Sequence, residues 1–299
     1  MSKPRSAPRR KVDGVLLLDK PQGLSSNTAL QVARRLLNAE KAGHTGTLDP
    51  MATGLLPLCF GEATKFSGEL LDADKAYEAT LKLGVTTTTA DAEGDVRQIR
   101  SVVVAEDILD AALARFTGPI SQIPPMYSAL KRDGKPLYEY ARAGVELERE
   151  ARNVVIHKIA LLGWQGDEVR IGVDCSKGTY IRTLAEDIGE FLGCGAHLTA
   201  LRRTRIAEIT LSSTVTLEQL ENAIDRDAFL APTESLLAKL PAAYLEEAAS
   251  ERLLHGQAIE WGEGGSAERY RVYAADGRFI GLCQRDEHGR LAPKRLVAA

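Results

Sequence analysis

Cysteine is scarce in this chain and never paired in sequence. Cys59, Cys175, Cys194 and Cys283 are the only four in 299 residues, and none makes a CxxC. Cys194 with His197 is the nearest approach to a ligand pair, and without a second pair it reads as incidental, so no metal site is expected. A disulfide framework is equally foreign to a chain of this length. Long apolar runs are missing: nothing approaches the roughly 20 residues that span a bilayer, and no apolar signal core follows the basic start MSKPRSAPRRKVDG. A cytoplasmic protein with no membrane contact is the expectation. The phosphate loop G-x-x-x-x-G-K-[ST] is absent, as is a GxGxxG after a strand, which removes the common nucleotide cofactors. HExxH does not occur, and five histidines yield no Ser/His/Asp or Cys/His set. Hydrolase and metalloenzyme readings therefore have little to rest on.

What is present is ordinary globular material, 44% hydrophobic and 26% charged, in a chain long enough for one large domain or two smaller ones. A net charge of −3 gives no overall pull toward a polyanion. The basic residues nevertheless cluster, as KPRSAPRRK at 3–11, Arg34-Arg35, KRDGK at 131–135, RRTR at 202–205 and Lys294-Arg295. Each cluster alone reads as a solvated surface run. Several of them on one face would make a nucleic-acid footprint.

Hydrophobic patterning predicts a buried strand over GVLLLDKPQG (14–23) and a helix over 25–40 with Ser25 or Ser26 as N-cap. Residues 62–75 have helical character, YEATLKLG (77–84) alternates as a strand, and TTTTADAEGDVRQIR (86–100) reads as a polar loop or hairpin. An amphipathic helix follows over 105–116. Then come a Pro-rich segment turning at Asp133-Gly134, a short helix, two strands ending near Ser176, and a helix over 178–193. Without a regular βαβ rhythm, the expectation is an α+β domain with a mixed or antiparallel sheet. From about residue 250, short runs with a hairpin signal at Asp276-Gly277 predict a small β-rich module. The expected division is a basic tail over 1–13, a main domain over 14–249 and the module over 250–299.

GHTGTLDPMATG (43–54) is the most unusual stretch. Pro50 biases Asp49 away from helix and the glycines permit close backbone approaches. Such a loop can hold a carboxylate in a cleft, or Asp49 can simply bond neighbouring N–H groups in an Asx turn. CSKGTYIRTL (175–184) gathers Lys177, Tyr180 and Arg182 at a helix entry, where they either meet an anionic group or pack and solvate separately. Tyr77 at a strand start is ordinary packing or a base-stacking ring, and His44 is a structural or a functional loop histidine.

LLLDKPQGLSS, GHTGTLDPMATGLLPLCFGEATKF, DKAYEATLKLG, FTGPISQIPPMYSALKRDGKPLYEYARAG and VDCSKGTYIRTLAEDIGEFLGCGAHLTALRRT together closely resemble the bacterial tRNA pseudouridine-55 synthases, the TruB family. The resemblance runs in family order over about residues 14–210. It implies a pseudouridine synthase fold with a PUA-like C-terminal domain, and an isomerase that flips uridine 55 out of the T-loop of tRNA. It further implies Asp49 as catalytic carboxylate, Arg182 as its partner, Tyr77 as the aromatic that stacks on the uracil, and His44, Tyr180 and Leu201 as substrate contacts. No cofactor is needed for a change without net redox, and a monomer with no protein partner is expected. The competing reading is a non-catalytic RNA-binding protein or tRNA-folding chaperone on the same scaffold. A third, a hydrolase using Asp49 as base, has no visible partner residue.

Overall fold

The computed structural model describes residues 8–262 and 267–298, so the expected basic tail lies outside the described residues as far as position 7. β1 (Gly14–Lys20) is buried along nearly its whole length. A Pro/Gly turn then leads into α1 (Ser26–Leu36), where Ser25 Oγ accepts from the Thr28 N–H as N-cap. β2 (Ala42–His44) and β3 (Thr53–Phe60) flank the glycine-rich loop. The helical character read over 62–75 breaks up into a six-residue 3-10 stretch, Gly61–Phe66, and a four-residue α2 (Gly68–Leu71). Gly68 interrupts that segment, and β4 (Lys75–Leu83) starts within it, before Tyr77.

β5 (Val85–Thr87) and β6 (Val96–Ile99) form the polar hairpin. α3 (Glu106–Arg115) precedes β7 (Gly118–Gln122). β8 (Lys131–Arg132) and β9 (Lys135–Pro136) close over Asp133-Gly134, and α4 (Leu137–Arg142) follows. β10 (Arg152–Gln165) and β11 (Glu168–Cys175) lead into α5 (Ile181–Phe191). β12 (Ala196–Ile206), β13 (Ile209–Thr210) and α6 (Leu217–Asn222) complete the main domain's elements.

Among the described residues, nine of these strands form one sheet in the order β1-β3-β12-β4-β11-β10-β7, with β2 on β3 and β13 on β12. Only β12 with β3 is parallel, so the sheet is mixed and the domain α+β. Its core joins Leu56, Leu58, Leu81 and Ile171 from the sheet to Ile181, Leu184, Ala185 and Ile188 of α5. A Cβ on Gly189 would stand 2.2 Å from Ala196 N, so the helix lies against β12 at a distance only glycine allows. β12 itself contains RRTR, which the sequence suggests is a solvated run. In the fold it is a central strand because Leu198, Leu201 and Ile206 are buried along it and carry the arginines between them.

β14 (Ala242–Tyr244), α7 (Glu247–Leu254), β15 (Arg269–Tyr273), β16 (Phe279–Arg285) and β17 (Leu291–Leu296) build a second sheet, ordered β14-β15-β16-β17. It begins before residue 250 because β14 pairs in parallel with β15, and three residues are too short to show alternation. Ala243, Leu253, Val272 and Ile280 make its own core. It docks on the first domain through Phe279 against Phe66 at 5.7 Å and through Leu282, buried with Val15 and Leu55.

Candidate active site

Asp49 lies in the loop between β2 and β3, and its neighbours hold that loop. Ser26 of α1 is buried, and its Oγ donates to Leu48 O at 2.9 Å while accepting from Leu48 N at 2.8 Å. Lys20, fully buried at the end of β1, donates from Nζ to the carbonyls of Pro21 (2.9 Å), Leu24 (2.6 Å) and Pro50 (3.3 Å). Burial lowers its pKa to about 8, against the opposing pull of Asp49. Beyond the loop, Gly54 has φ +100°, and a Cβ there would stand 2.3 Å from Arg203 O. With both flanks fixed in this way, the bend does not depend on the Asp49 side chain. Its carboxylate turns toward α5, and among the described residues no loop N–H is bonded to it.

Arg182 meets it there. It is 4% exposed in the first turn of α5, with Nε 3.0 Å from Asp49 Oδ2 and Nη1 3.6 Å from Asp91 Oδ2. The remaining donors go to Thr89 O (3.1 Å) and Tyr127 O (2.6 Å), so the guanidinium is fixed on every side. Asp91 is buried too, and its Oδ1 accepts from the Thr89 hydroxyl and the Glu93 N–H. Burial raises the Asp49 pKa, Arg182 opposes this, Asp91 adds to it and Lys20 opposes it; the net direction is upward. An arginine beside a carboxylate is expected to lower that pKa, but here desolvation outweighs the ion pair.

Tyr77, buried on β4, stands directly opposite Arg203 in the β4–β12 register. Arg203 is 1% exposed and donates to Leu55 O (2.8 Å) and to Gly46 O (3.3 Å), and its charge bears on the Tyr77 hydroxyl across the strand pair. Tyr180 is the N-cap of α5, and buried Gln122 at the end of β7 grips its backbone twice. The Gln122 side chain accepts from Tyr180 N at 3.0 Å and donates to Tyr180 O at 3.2 Å.

Asp49, Tyr77, Tyr180, Arg182 and Leu201 all line one cleft of about 370 Å³, together with Lys75 and Arg203. That volume falls in the range of small-ligand sites. His44 is not brought into the lining. It ends β2 half-buried, its Nδ1 has no hydrogen-bond partner, and burial with the nearby Arg203 lowers its pKa and favours the neutral ring. Sequence reading missed Lys20, Asp91, Gln122 and Arg203. Only Arg203 leaves a local trace, two positions after Leu201 and so on the same strand face. The RRTR arginines do not serve as a surface footprint, since Arg202 pairs with Asp19 at 2.7 Å, Arg205 with Asp174 at 2.5 Å, and Arg203 is inside. KRDGK differs: its hairpin directly follows the cleft-lining residues Ser128, Ala129 and Leu130, and its basic side chains reach the surface.

A carboxylate fixed by a buried arginine, open to a cleft and shielded by apolar side chains, can act as a nucleophile or as a base on a bound ring and sugar. Residues 34–181 match the family model "TruB family pseudouridylate synthase (N terminal domain)". Residues 182–238 match "tRNA pseudouridylate synthase B C-terminal domain", and 241–297 match "Pseudouridine synthase II TruB, C-terminal". A protein of Burkholderia mallei named tRNA pseudouridine synthase B is 60% identical over 303 residues, covering 99% of this chain and 97% of the relative. One of the same name from Aromatoleum aromaticum is 60% identical over 292 residues, covering 97% and 94%. Among solved structures, an H/ACA RNP bound to a substrate RNA containing 2′-deoxyuridine superposes with a TM-score of 0.72 at 25% identity, covering 96% of this chain and 85% of that one. A Cbf5-Nop10-Gar1 complex superposes with a TM-score of 0.70 at 28% identity, covering 95% and 84%.

Proposed function

The chain belongs to the TruB family of pseudouridylate synthases, and we propose that it isomerises uridine 55 in the T-loop of tRNA to pseudouridine, acting as a cytoplasmic monomer. The observation that carries this reading is Asp49, held by a loop that does not need its side chain and aligned by Arg182 at the wall of a cleft.

Isomerisation breaks the N1–C1′ bond, turns the uracil while it stays bound, and joins C5 to C1′. C5 gives up a proton and N1 takes one, so nothing is oxidised and nothing is hydrolysed. Asp49 attacks C6 of the base or C1′ of the ribose, or removes a ribose proton to give a glycal-like intermediate. Each role needs the ionised carboxylate, with its raised pKa making it a better base than a solvated aspartate. Arg182 orients it. Tyr77 stacks on the extruded uracil, Tyr180 and Leu201 close the cleft around it, and His44 contacts the RNA outside the lining. Extruding a stacked base costs a few kcal/mol. Phosphate contacts from the KRDGK hairpin offset part of that cost and make binding fall with salt. A local positive edge is enough for a protein whose net charge is −3.

The test is to incubate unmodified tRNA with wild type and with Asp49→Asn, mapping pseudouridine by carbodiimide treatment and primer extension. Wild type is expected to modify position 55, while Asp49→Asn binds tRNA with similar affinity and makes no product. Substantial tritium release by Asp49→Asn from C5-labelled uridine would remove Asp49 from the chemistry. A wild type that binds tRNA without modifying it would favour the chaperone reading.

A further inference from the structure

Arg203 is a buried cation that the chemistry above does not use. It is 1% exposed, it donates to two backbone carbonyls, and its charge lies beside the Tyr77 hydroxyl. Among the described residues no carboxylate lies within ion-pair distance of it. Its charge instead bears on other cationic or basic groups, where burial lowers the pKa of Lys20, His44 and Lys75 and Arg203 adds to that lowering. A buried charge without a counter-ion is among the most expensive things a fold can hold. Neutral donors would satisfy carbonyls and a phenol equally well. What only a cation supplies is positive potential, and Arg203 supplies it within the lining of the cleft, directly across the strand pair from Tyr77.

We infer that Arg203 is a positioning residue for the base-binding face of the cleft: it stands opposite Tyr77 on the neighbouring strand and sets an uncompensated positive charge beside the ring against which the uracil rests. This rests on the function proposed above. When the N1–C1′ bond breaks, its electron pair leaves with the uracil and spreads over the ring and its two carbonyl oxygens. The ribose carbon left electron-poor is satisfied by Asp49, or by loss of a neighbouring proton to Asp49 that is returned to the same carbon as C5 joins C1′. The pair then returns through C5 to C1′, C5 releases its proton and N1 is protonated. Arg203 stabilises the base while it carries that pair.

The experiment compares wild type, Asp49→Asn, Arg203→Gln, Arg203→Lys, Tyr77→Phe and the double variant Arg203→Gln/Tyr77→Phe on a T-arm stem-loop transcript. Single-turnover rates, binding by filter retention and melting temperatures are measured together. Arg203→Gln is expected to slow the single-turnover step about thirtyfold, the weight of one charge-assisted interaction, with the dissociation constant changed less than about twofold. Arg203→Lys should recover a clear part of that loss. In the Tyr77→Phe background the further loss from Arg203→Gln should shrink, because the two act as one unit. A wild-type rate for Arg203→Gln, no recovery by Arg203→Lys, or fully multiplying losses in the double variant would overturn the inference. Should the Arg203 variants fail to fold, Tyr77→Phe decides alone. A slower step at unchanged melting temperature supports the inference, and an unchanged rate overturns it. Wild type making no pseudouridine, by contrast, would strike the proposed function itself.

Discussion

Two arginines line the cleft, and they are buried almost equally, Arg182 at 4% and Arg203 at 1% exposure. Arg182 enters from the first turn of a helix and meets Asp49, Asp91 and two carbonyls. Arg203 enters from a central strand, donates to two carbonyls and stands across from the Tyr77 phenol. One cation between two carboxylates leaves its side of the cleft acidic. The other, with Lys75 also in the lining, leaves its side basic. The same residue type at the same depth therefore does opposite electrostatic work, depending on what the fold brings to it. For the proposed reaction that polarity is apt, since the sugar becomes electron-poor as the base becomes electron-rich.

The sharpest way to break the comparison is Arg182→Met. It strands Asp91 in the interior and leaves Asp49, a third exposed at the cleft wall, without its partner. Removing one partner of a buried pair costs about 3–5 kcal/mol, and the exposure of Asp49 puts the loss at the lower end. Denaturant unfolding should show a loss of that size at pH 7.5 and a smaller one at pH 5, where protonation relieves Asp49, whose pKa burial already raises. Turnover should fall at least about a thousandfold as Asp49 loses its orientation. A loss no larger than that of Arg203→Gln would mean that the carboxylates do not set Arg182 apart.

Asp49→Asn tests the same side with an opposite sign. Its pKa is raised in the folded state, chiefly by burial. Such a carboxylate lowers stability as pH climbs from the unfolded value, near 3.9, through the folded one, and the deficit persists above it. Asparagine cannot ionise, so the variant should melt higher than wild type at pH 7, with the gap closing toward pH 3. That is the pattern of a functional group held against stability. A lower melting temperature at pH 7 would show instead that the bond to Arg182 outweighs desolvation.

Which side of the cleft the sequence revealed follows from the same contrast. Asp49 announces itself by the glycines and proline around it, and Arg182 by its place at the entry to a helix with a clear apolar face. Local spacing still left Asp49 open between a turn and a site, and the family resemblance supplied the role. Arg203, Lys20 and Gln122 have backbone groups from distant segments among their partners, and a backbone carbonyl has no sequence signature. A charged residue in a strand then reads as solvent-facing, which is why RRTR looks like surface and hides the central strand β12. The three-residue β14 was lost for a related reason, its pairing being visible only in space. The breakup of 62–75 shows local propensity yielding to the start of β4.

Gln122→Leu probes how far Arg182 depends on its helix. The variant removes both bonds to Tyr180 and orphans the Tyr180 N–H, while Tyr180 O keeps its bond from Leu184 N. The cost should be about 1–3 kcal/mol in unfolding, with turnover down about tenfold as the first turn of α5 loosens. Combined with Arg203→Gln, the losses in rate should multiply, because the two act on opposite sides of the cleft. Strong non-additivity would show that the two sides are one network.

The smallest effect belongs to a third arginine. Arg269 of the second sheet sets Nη1 2.9 Å from each oxygen of Glu69, on the segment before β4. Its geometry rivals that of Arg182, but its side chain is 36% exposed where that of Arg182 is 5%. Water screens such a pair, so Arg269→Ala should cost at most about 1 kcal/mol in unfolding. Turnover on the isolated T-arm stem-loop should be unchanged, because Glu69 and Arg269 lie outside the cleft lining. If Arg269→Ala were as damaging as Arg182→Met, pairing alone would govern the weight of an arginine here. If it is nearly silent, burial does, and the unpaired Arg203 becomes the more demanding of the two cations at the cleft.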